Sequence, residues 1–391
     1  MTIDWRSKGF WAPDEPWTAS GNPSIFGGGF TWPLMVVRRD AVAANVATMA
    51  AYCRRHGVEF APHAKTTMAP GLLDAQMEAG AWGMTVATPN QALVLRRLGI
   101  ERVLIANEVL DPTALSWLAR ESAAGWDVYF QVDSLAGVEA AAATGGPLRI
   151  LVELGHPGGR TGVRGLDALE SVARAVAAAP GLELAGVTGY EGQLPTLPEV
   201  DAYLDLLVDG VERLAAAGLL PERPWVSAGG SAWFDRVIDR FARLAPSARV
   251  IVRSGASVTH DDGFYRTRTP FVRVPSEGPL DAALEIWAQV LSVPEPGLAI
   301  VGMGKRDAPF DEGLPVVWQR RRAGALSNIS DISVLKLNDH HTYLSFGDAD
   351  LLPGDLLRFG ISHPCTAFDK WRDIPVVDED RNVVDVLHTF F

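Results

Sequence analysis

Lysine is scarce in this chain. Lys8, Lys65, Lys305, Lys336 and Lys370 stand against thirty arginines. Lys65 lies in Phe60-Ala61-Pro62-His63-Ala64-Lys65-Thr66-Thr67, where an apolar, strand-like run (Val58–Ala61) gives way to a helix-like one (Met68–Glu78). A lysine amine can form a Schiff base or give up its proton, and arginine does neither at ordinary pH. A surface lysine closing a strand would read the same way in isolation, so the neighbouring chemistry has to decide. Two glycine-rich turns offer some of it: Ser227-Ala228-Gly229-Gly230-Ser231 and Ser254-Gly255-Ala256-Ser257. Small residues let backbone N–H groups approach an anion closely.

A third group is Ser362-His363-Pro364-Cys365-Thr366. Two residues apart on an extended segment, His363 and Cys365 would point to the same side. Imidazole and thiolate together suit zinc, with manganese or magnesium as other divalent options. Two protein ligands leave positions open for water and substrate, as a catalytic site requires. A buried thiol beside a surface histidine is the plainer account of the same letters.

The elements that must position these residues alternate. Strands are expected at Val58–Ala61, Gly83–Ala87, Arg102–Ala106, Asp127–Val132, Arg149–Glu153, Leu184–Thr188, Trp225–Ala228 and Arg249–Arg253, with a helix between each pair. Eight short apolar strands joined by helices predict an α/β fold, a (β/α)8 TIM-type barrel over residues 34–270. An open doubly wound sheet is the alternative arrangement. After residue 270 the rhythm becomes strand and turn, predicting a C-terminal, mostly antiparallel β domain over 271–391. Residues 1–33 carry four tryptophans among Gly and Pro and are expected to drape over the β domain. Ahead of the barrel, Val42, Val46, Met49 and Cys53 recur at helical spacing, which makes Cys53 a core residue.

In a barrel, functional residues gather at the C-terminal strand ends, and phosphate sites follow strands 7 and 8. Lys65 then falls at the mouth with His63, and the two glycine turns fall where a phosphate cup belongs. A lysine and a phosphate cup at one mouth are what pyridoxal 5'-phosphate requires. The charge of −12 argues against nucleic acid or an anionic membrane as partner. Two cysteines form no disulfide framework, and no membrane segment or secretory signal is evident, so a cytoplasmic protein is expected.

Pro62-His63-Ala64-Lys65-Thr66 resembles the cofactor-lysine motif of the D-threonine aldolase and D-serine dehydratase family, pyridoxal phosphate enzymes with an alanine-racemase-like barrel and a β domain. The resemblance runs from about Trp32 to the C-terminus. It implies that Lys65 is the Schiff-base lysine and that His63 lies beside the cofactor. It also implies that Arg160 faces the cofactor's ring oxygen, that Tyr190 and Gln193 lie beside the ring, and that Gly229, Gly230, Ser254 and Gly255 contact the phosphate. A metal-binding His-x-Cys pair stands in the dehydratases where His363 and Cys365 stand here, whereas the aldolases tend to carry aspartate at the second position. The expected activity is therefore metal-dependent dehydration of D-serine or D-threonine to a 2-oxo acid and ammonia. Retro-aldol cleavage is the alternative, followed by a racemase or a non-catalytic cofactor-binding protein. The resemblance further implies a homodimer.

Overall fold

The computed structural model describes residues 2–18, 20–21 and 23–391. In chain order the elements are β1 (Leu34–Arg38), α1 (Arg39–Arg55), β2 (Glu59–Phe60), α2 (Pro70–Glu78), β3 (Met84–Val86), α3 (Pro89–Arg97), β4 (Arg102–Glu108), α4 (Pro112–Ala123), β5 (Asp127–Val132), α5 (Leu135–Ala142), β6 (Leu148–Gly155), β7 (Val163–Arg164), α6 (Leu166–Ala178), β8 (Leu182–Gly189), α7 (Leu197–Ala216), β9 (Trp225–Ala228), α8 (Phe234–Phe241) and β10 (Arg249–Val252). They continue with α9 (Pro270–Arg273), β11 (Leu284–Glu295), β12 (Leu298–Val301), β13 (Val316–Arg322), β14 (Ala325–Asn328), β15 (Ile332–Leu337), β16 (Thr342–Phe346), β17 (Leu356–Gly360), β18 (Asp373–Val377) and β19 (Val383–His388).

The chain divides into two compact units, one of Ala50–Lys65 with Gln76–Gly255, the other of Met1–Met49 with Thr66–Ala75 and Ala256–Phe391. These limits differ from the sequence boundaries at 34 and 270. The reason is β1, which pairs antiparallel with β11 and parallel with β18, and so joins the later strands.

In the first unit the strands pair in parallel in the order β2-β10-β9-β8-β6-β5-β4-β3, with β7 beside β6. The two ends of that row meet. His63 and Thr85 form a parallel bridge, the Trp82 N–H donates to the Phe60 carbonyl at 2.8 Å, and the Thr85 N–H donates to the Pro62 carbonyl at 2.9 Å. The ring is therefore closed, as the eight-strand rhythm predicts. Ala61, Trp82, Leu104, Tyr129, Leu151, Ala185, Trp225 and Ile251 fill its interior, one from each strand or its flank. The helices between strands start where the sequence marks them. The side chains of Thr88, Asp111 and Ser134 cap α3, α4 and α5 through the N–H groups of Gln91, Ala114 and Gly137, and proline opens α3 and α4.

The second unit carries a ten-stranded mixed sheet, with β14-β13-β17-β11-β1-β18-β19 as its path and β12, β16 and β15 branching from β11. Its strand pairings are antiparallel, except that β1 runs parallel to β18. Its N-terminal segment packs Phe10, Trp17 and Phe30 into one aromatic group, and Ile25 joins Leu34, Val36 and Trp287 in a buried cluster. Cys53, in the barrel unit, is buried as expected. Among the described residues, no helix is long and apolar enough to cross a membrane.

Candidate active site

Alternation along the barrel strands places a polar layer above the apolar one. On β10, Ile251 faces inward, so Arg253, two residues on, does too. Arg253 is buried and donates to Thr188 Oγ1 (2.9 Å), Ser227 Oγ (2.7 Å) and the Gly189 carbonyl (2.8 Å). Gln131 Nε2 also reaches Thr188 Oγ1, at 3.1 Å. A buried cation is tolerated because each of these acceptors is aimed at it and the carboxylates of Glu191 and Glu153 lie close enough to favour it.

Lys65 stands at the mouth of this layer. β2 ends at Phe60, and Ala64–Thr66 turns once as a 3-10 helix before α2 begins at Pro70. The helix expected from Met68 thus starts two residues later, at a proline that suits a first helical position. His63, two residues before Lys65, is partly exposed, but its Nδ1 is enclosed and meets no hydrogen-bond partner. Burial holds its pKa well below the usual histidine value, and the charges of Lys65, Arg253 and Arg160 push the same way. His63 is therefore neutral at physiological pH.

The loop after β6 brings Arg160, Tyr190 and Gln193 together. The Arg160 guanidinium lies over the Tyr190 ring, 4.3 Å from its centroid, and the Arg160 N–H donates to Gln193 Oε1 at 3.3 Å. These three, with Glu153, His156 and Thr161, line one cleft. The loop is tied down from several sides. Asp133 Oδ2 accepts the Gly162 N–H (2.9 Å), Glu153 bonds Thr161, and the Tyr203 hydroxyl donates to the Leu154 carbonyl while accepting the Tyr190 N–H. Gly162, at φ +90°, also presses so closely on Gly155 that a side chain there would strike its backbone. Glu108, at the end of β4, accepts the Asp133 N–H at 3.0 Å. Burial first, then Asp133 and Glu153, push its pKa up to about 8.

The glycine turns are arranged differently from the phosphate cup drawn from the sequence. The N–H groups of Gly229 and Gly230 donate to the Glu191 carboxylate, at 3.1 and 2.6 Å. Next to Gly255, the Ser254 hydroxyl donates to Ser231 Oγ at 3.0 Å. Glu191 and Arg253 were not among the expected site residues. Arg253 is legible from the inward period of its strand, and Glu191 stands next to Tyr190 in the sequence.

In the β unit, His363 is extended (φ −157°, ψ 119°), whereas Cys365 lies within a 3-10 turn over Pro364–Thr366. The segment is thus not extended throughout. Proline at the first turn position bends it, and the Cys365 side chain still lies close enough to the His363 imidazole to favour its charge. His363 Nδ1 is 2.7 Å from Asp311 Oδ2, and Thr366 Oγ1 donates to Asp311 Oδ1 at 2.9 Å. The rings of Phe264 and Tyr265 stand 5.8 and 5.9 Å from the imidazole. Cys365 Sγ lies 3.6 Å from the hydroxyl of Thr66, the residue after Lys65. Burial works against a charge on His363, but Cys365 and Asp311 outweigh it, and its pKa is pushed up to about 9. Among the described residues no three His, Cys, Asp or Glu side chains gather as a metal cage.

The residues present fit the cofactor. An amine stands at the barrel mouth, an enclosed and unpartnered imidazole nitrogen lies beside it, and a guanidinium is held over a tyrosine ring. The imidazole–thiol pair is equally a donor set for a borderline-soft divalent metal.

Comparison with known proteins agrees with this architecture. The chain is 29% identical over 345 residues to 3-hydroxy-D-aspartate aldolase of Paracoccus denitrificans (strain Pd 1222), covering 85% of this chain and 84% of that protein. In fold it is similar to D-threonine aldolase from Filomicrobium marinum, with a TM-score of 0.76, 24% identity and coverage of 92% and 94%. It is also similar to a cysteine-to-alanine mutant of D-threo-3-hydroxyaspartate dehydratase in its metal-free form, with a TM-score of 0.73, 24% identity and coverage of 92% and 97%. Residues 283–377 match a putative serine dehydratase domain. Residues 37–258 match the N-terminal domain of alanine racemase, and the chain belongs to that family.

Proposed function

We propose that the protein is a pyridoxal phosphate-dependent lyase of D-3-hydroxy amino acids, and that it removes water to leave a 2-oxo acid and ammonia. The cofactor's pyridine ring would supply the electron sink for charge developing at the α-carbon. Lys65 is the residue that would hold the cofactor's aldehyde and, once released by the substrate amine, take the α-proton. The enclosed His63 remains neutral beside it and so does not compete for that proton. Arg160, kept in place by Tyr190, Gln193 and the Asp133–Gly162 bond, would face the cofactor's ring oxygen. Ser231, Ser254 and Gly255 would receive the phosphate.

The observation that carries this reading is the convergence of His363 and Cys365 on one turn. A racemase has no use for such a pair, whereas hydroxide is a poor leaving group and its departure needs an acid. A metal in the clamp, zinc being the best match to nitrogen and sulfur donors, would act as Lewis acid at the β-hydroxyl. Cysteine rather than aspartate at position 365 is the feature that favours water loss. The 29% identity to an aldolase over most of the chain supports retro-aldol cleavage as the second reading.

Product analysis separates the two. The holoenzyme is incubated with D-serine, D-threonine and D-3-hydroxyaspartate, with and without a chelator. Release of a 2-oxo acid and ammonia, lost on chelation, is the expected result. Glycine and an aldehyde as products would overturn dehydration in favour of cleavage, and equal turnover of the L-isomers would overturn the stereochemical assignment.

A further inference from the structure

His363 follows β17 by only three residues, and its side chain is 14% exposed. What fixes it is a carboxylate from 52 residues upstream. Asp311 uses both oxygens on the two ends of one short turn: Oδ2 takes His363 Nδ1 at 2.7 Å, and Oδ1 accepts the Thr366 hydroxyl at 2.9 Å. Cys365 lies between those two anchor points. A single side chain therefore sets the ring plane of the histidine and the conformation of the turn that carries the thiol.

We infer that Asp311 is the positioning residue of the His363–Cys365 clamp, selecting the imidazole tautomer and holding both donor atoms for a divalent metal. This rests on the reading of His363 and Cys365 as ligands. With Nδ1–H donated to the carboxylate, the lone pair of the ring is left on Nε2, the nitrogen on the far side from Asp311. The negative carboxylate also makes that nitrogen a better electron donor, and a ring already oriented loses less freedom on binding. The Thr366 bond matters separately. Asp311 held at one oxygen only could swing with the ring, whereas held at both it is a fixed bracket.

The test measures metal binding directly on the cofactor-loaded chain, by competition for Zn²⁺ against a chromophoric chelator. Native protein, Asp311→Ala, Asp311→Asn, Thr366→Val and His363→Ala are compared. Cobalt-substituted samples report the ligand geometry through their visible bands. Asp311→Ala is expected to weaken zinc binding by about 10–100-fold and to shift the cobalt bands. Asp311→Asn, which keeps an acceptor but not the charge, should fall between it and the native chain. Thr366→Val should cause a smaller loss with the same direction of band shift. Cofactor absorbance unchanged in every variant would show that the barrel is intact, and if Asp311→Ala does not fold, Asp311→Asn and Thr366→Val carry the comparison. Zinc affinity in Asp311→Ala within twofold of native, with unshifted cobalt bands, would overturn the inference while leaving the clamp in place. Zinc binding that survives His363→Ala unchanged would overturn the clamp itself and this inference with it.

Discussion

Two turns in this molecule are written almost alike. His63-Ala64-Lys65-Thr66 and His363-Pro364-Cys365-Thr366 each set a histidine two residues before a reactive side chain, in a single 3-10 turn ended by threonine. Their electrostatics are opposite. His63 has an enclosed Nδ1 with no partner and three cations near it, and it is held neutral. His363 has a carboxylate on Nδ1 and a thiol beside it, and it holds a proton up to about 9 when no metal competes. The motif fixes where a side chain is presented, and the neighbours fix what it can do. One turn lies among cations, and the other beside a carboxylate and a thiol.

The comparison can be broken at several points. The largest effect is expected for Lys65→Ala. Loss of the positioned base alone should cost about 10²–10⁴-fold in turnover, and the cofactor's lysine-linked absorbance should vanish. An unchanged spectrum would remove Lys65 from the scheme.

Arg253→Met strikes the polar layer under the first turn. Its partners Thr188, Ser227 and Gly189 are buried and would lose their donor. Loss of about 3 kcal/mol in urea unfolding is expected, while zinc affinity at the second turn stays as in the native chain. A loss of zinc affinity with no loss of stability would reverse the assignment.

His63 supplies a smaller, pH-dependent effect. Its folded pKa lies below the unfolded value of 6.5, so between the two the unfolded chain binds the extra proton. Stability should fall as pH drops below about 6.5, and His63→Asn should flatten that slope. Glu108 has the reverse sign. It keeps its proton to about 8 when folded and to 4.5 when unfolded, so its contribution falls as pH rises between those values. Unfolding of Glu108→Gln at pH 5 and pH 8 should differ less than that of the native chain. An equal difference would mean that Glu108 ionises normally.

Much of this was legible in the chain. The eight barrel strands stand out because they are apolar and punctuated by capped helices, and Lys65 stands out because lysine is rare. What was hidden is hidden for physical reasons. β18 contains Pro375, which weakens a strand pattern, and β13 (Val316–Arg322) ends in three arginines without a buried alternation. Leu34–Arg38 reads as an apolar run, but nothing local says that it pairs with residues beyond 283. Gly229 and Gly230 advertise free N–H groups, and only the fold reveals that Glu191 reaches them. Asp311 lies in a loop with no periodicity, far in sequence from the histidine it holds.

In the function proposed above, the lysine turn would activate the α-carbon while the His-x-Cys turn would decide what leaves the β-carbon. This division is tested most directly by His363→Ala in deuterated water with D-threonine, following α-proton exchange and 2-oxobutanoate release in the same sample. Cofactor absorbance and α-exchange are expected to persist while release of the oxo acid falls by about 10²-fold or more. Oxo-acid release at the native rate, or exchange and release lost together, would contradict this division.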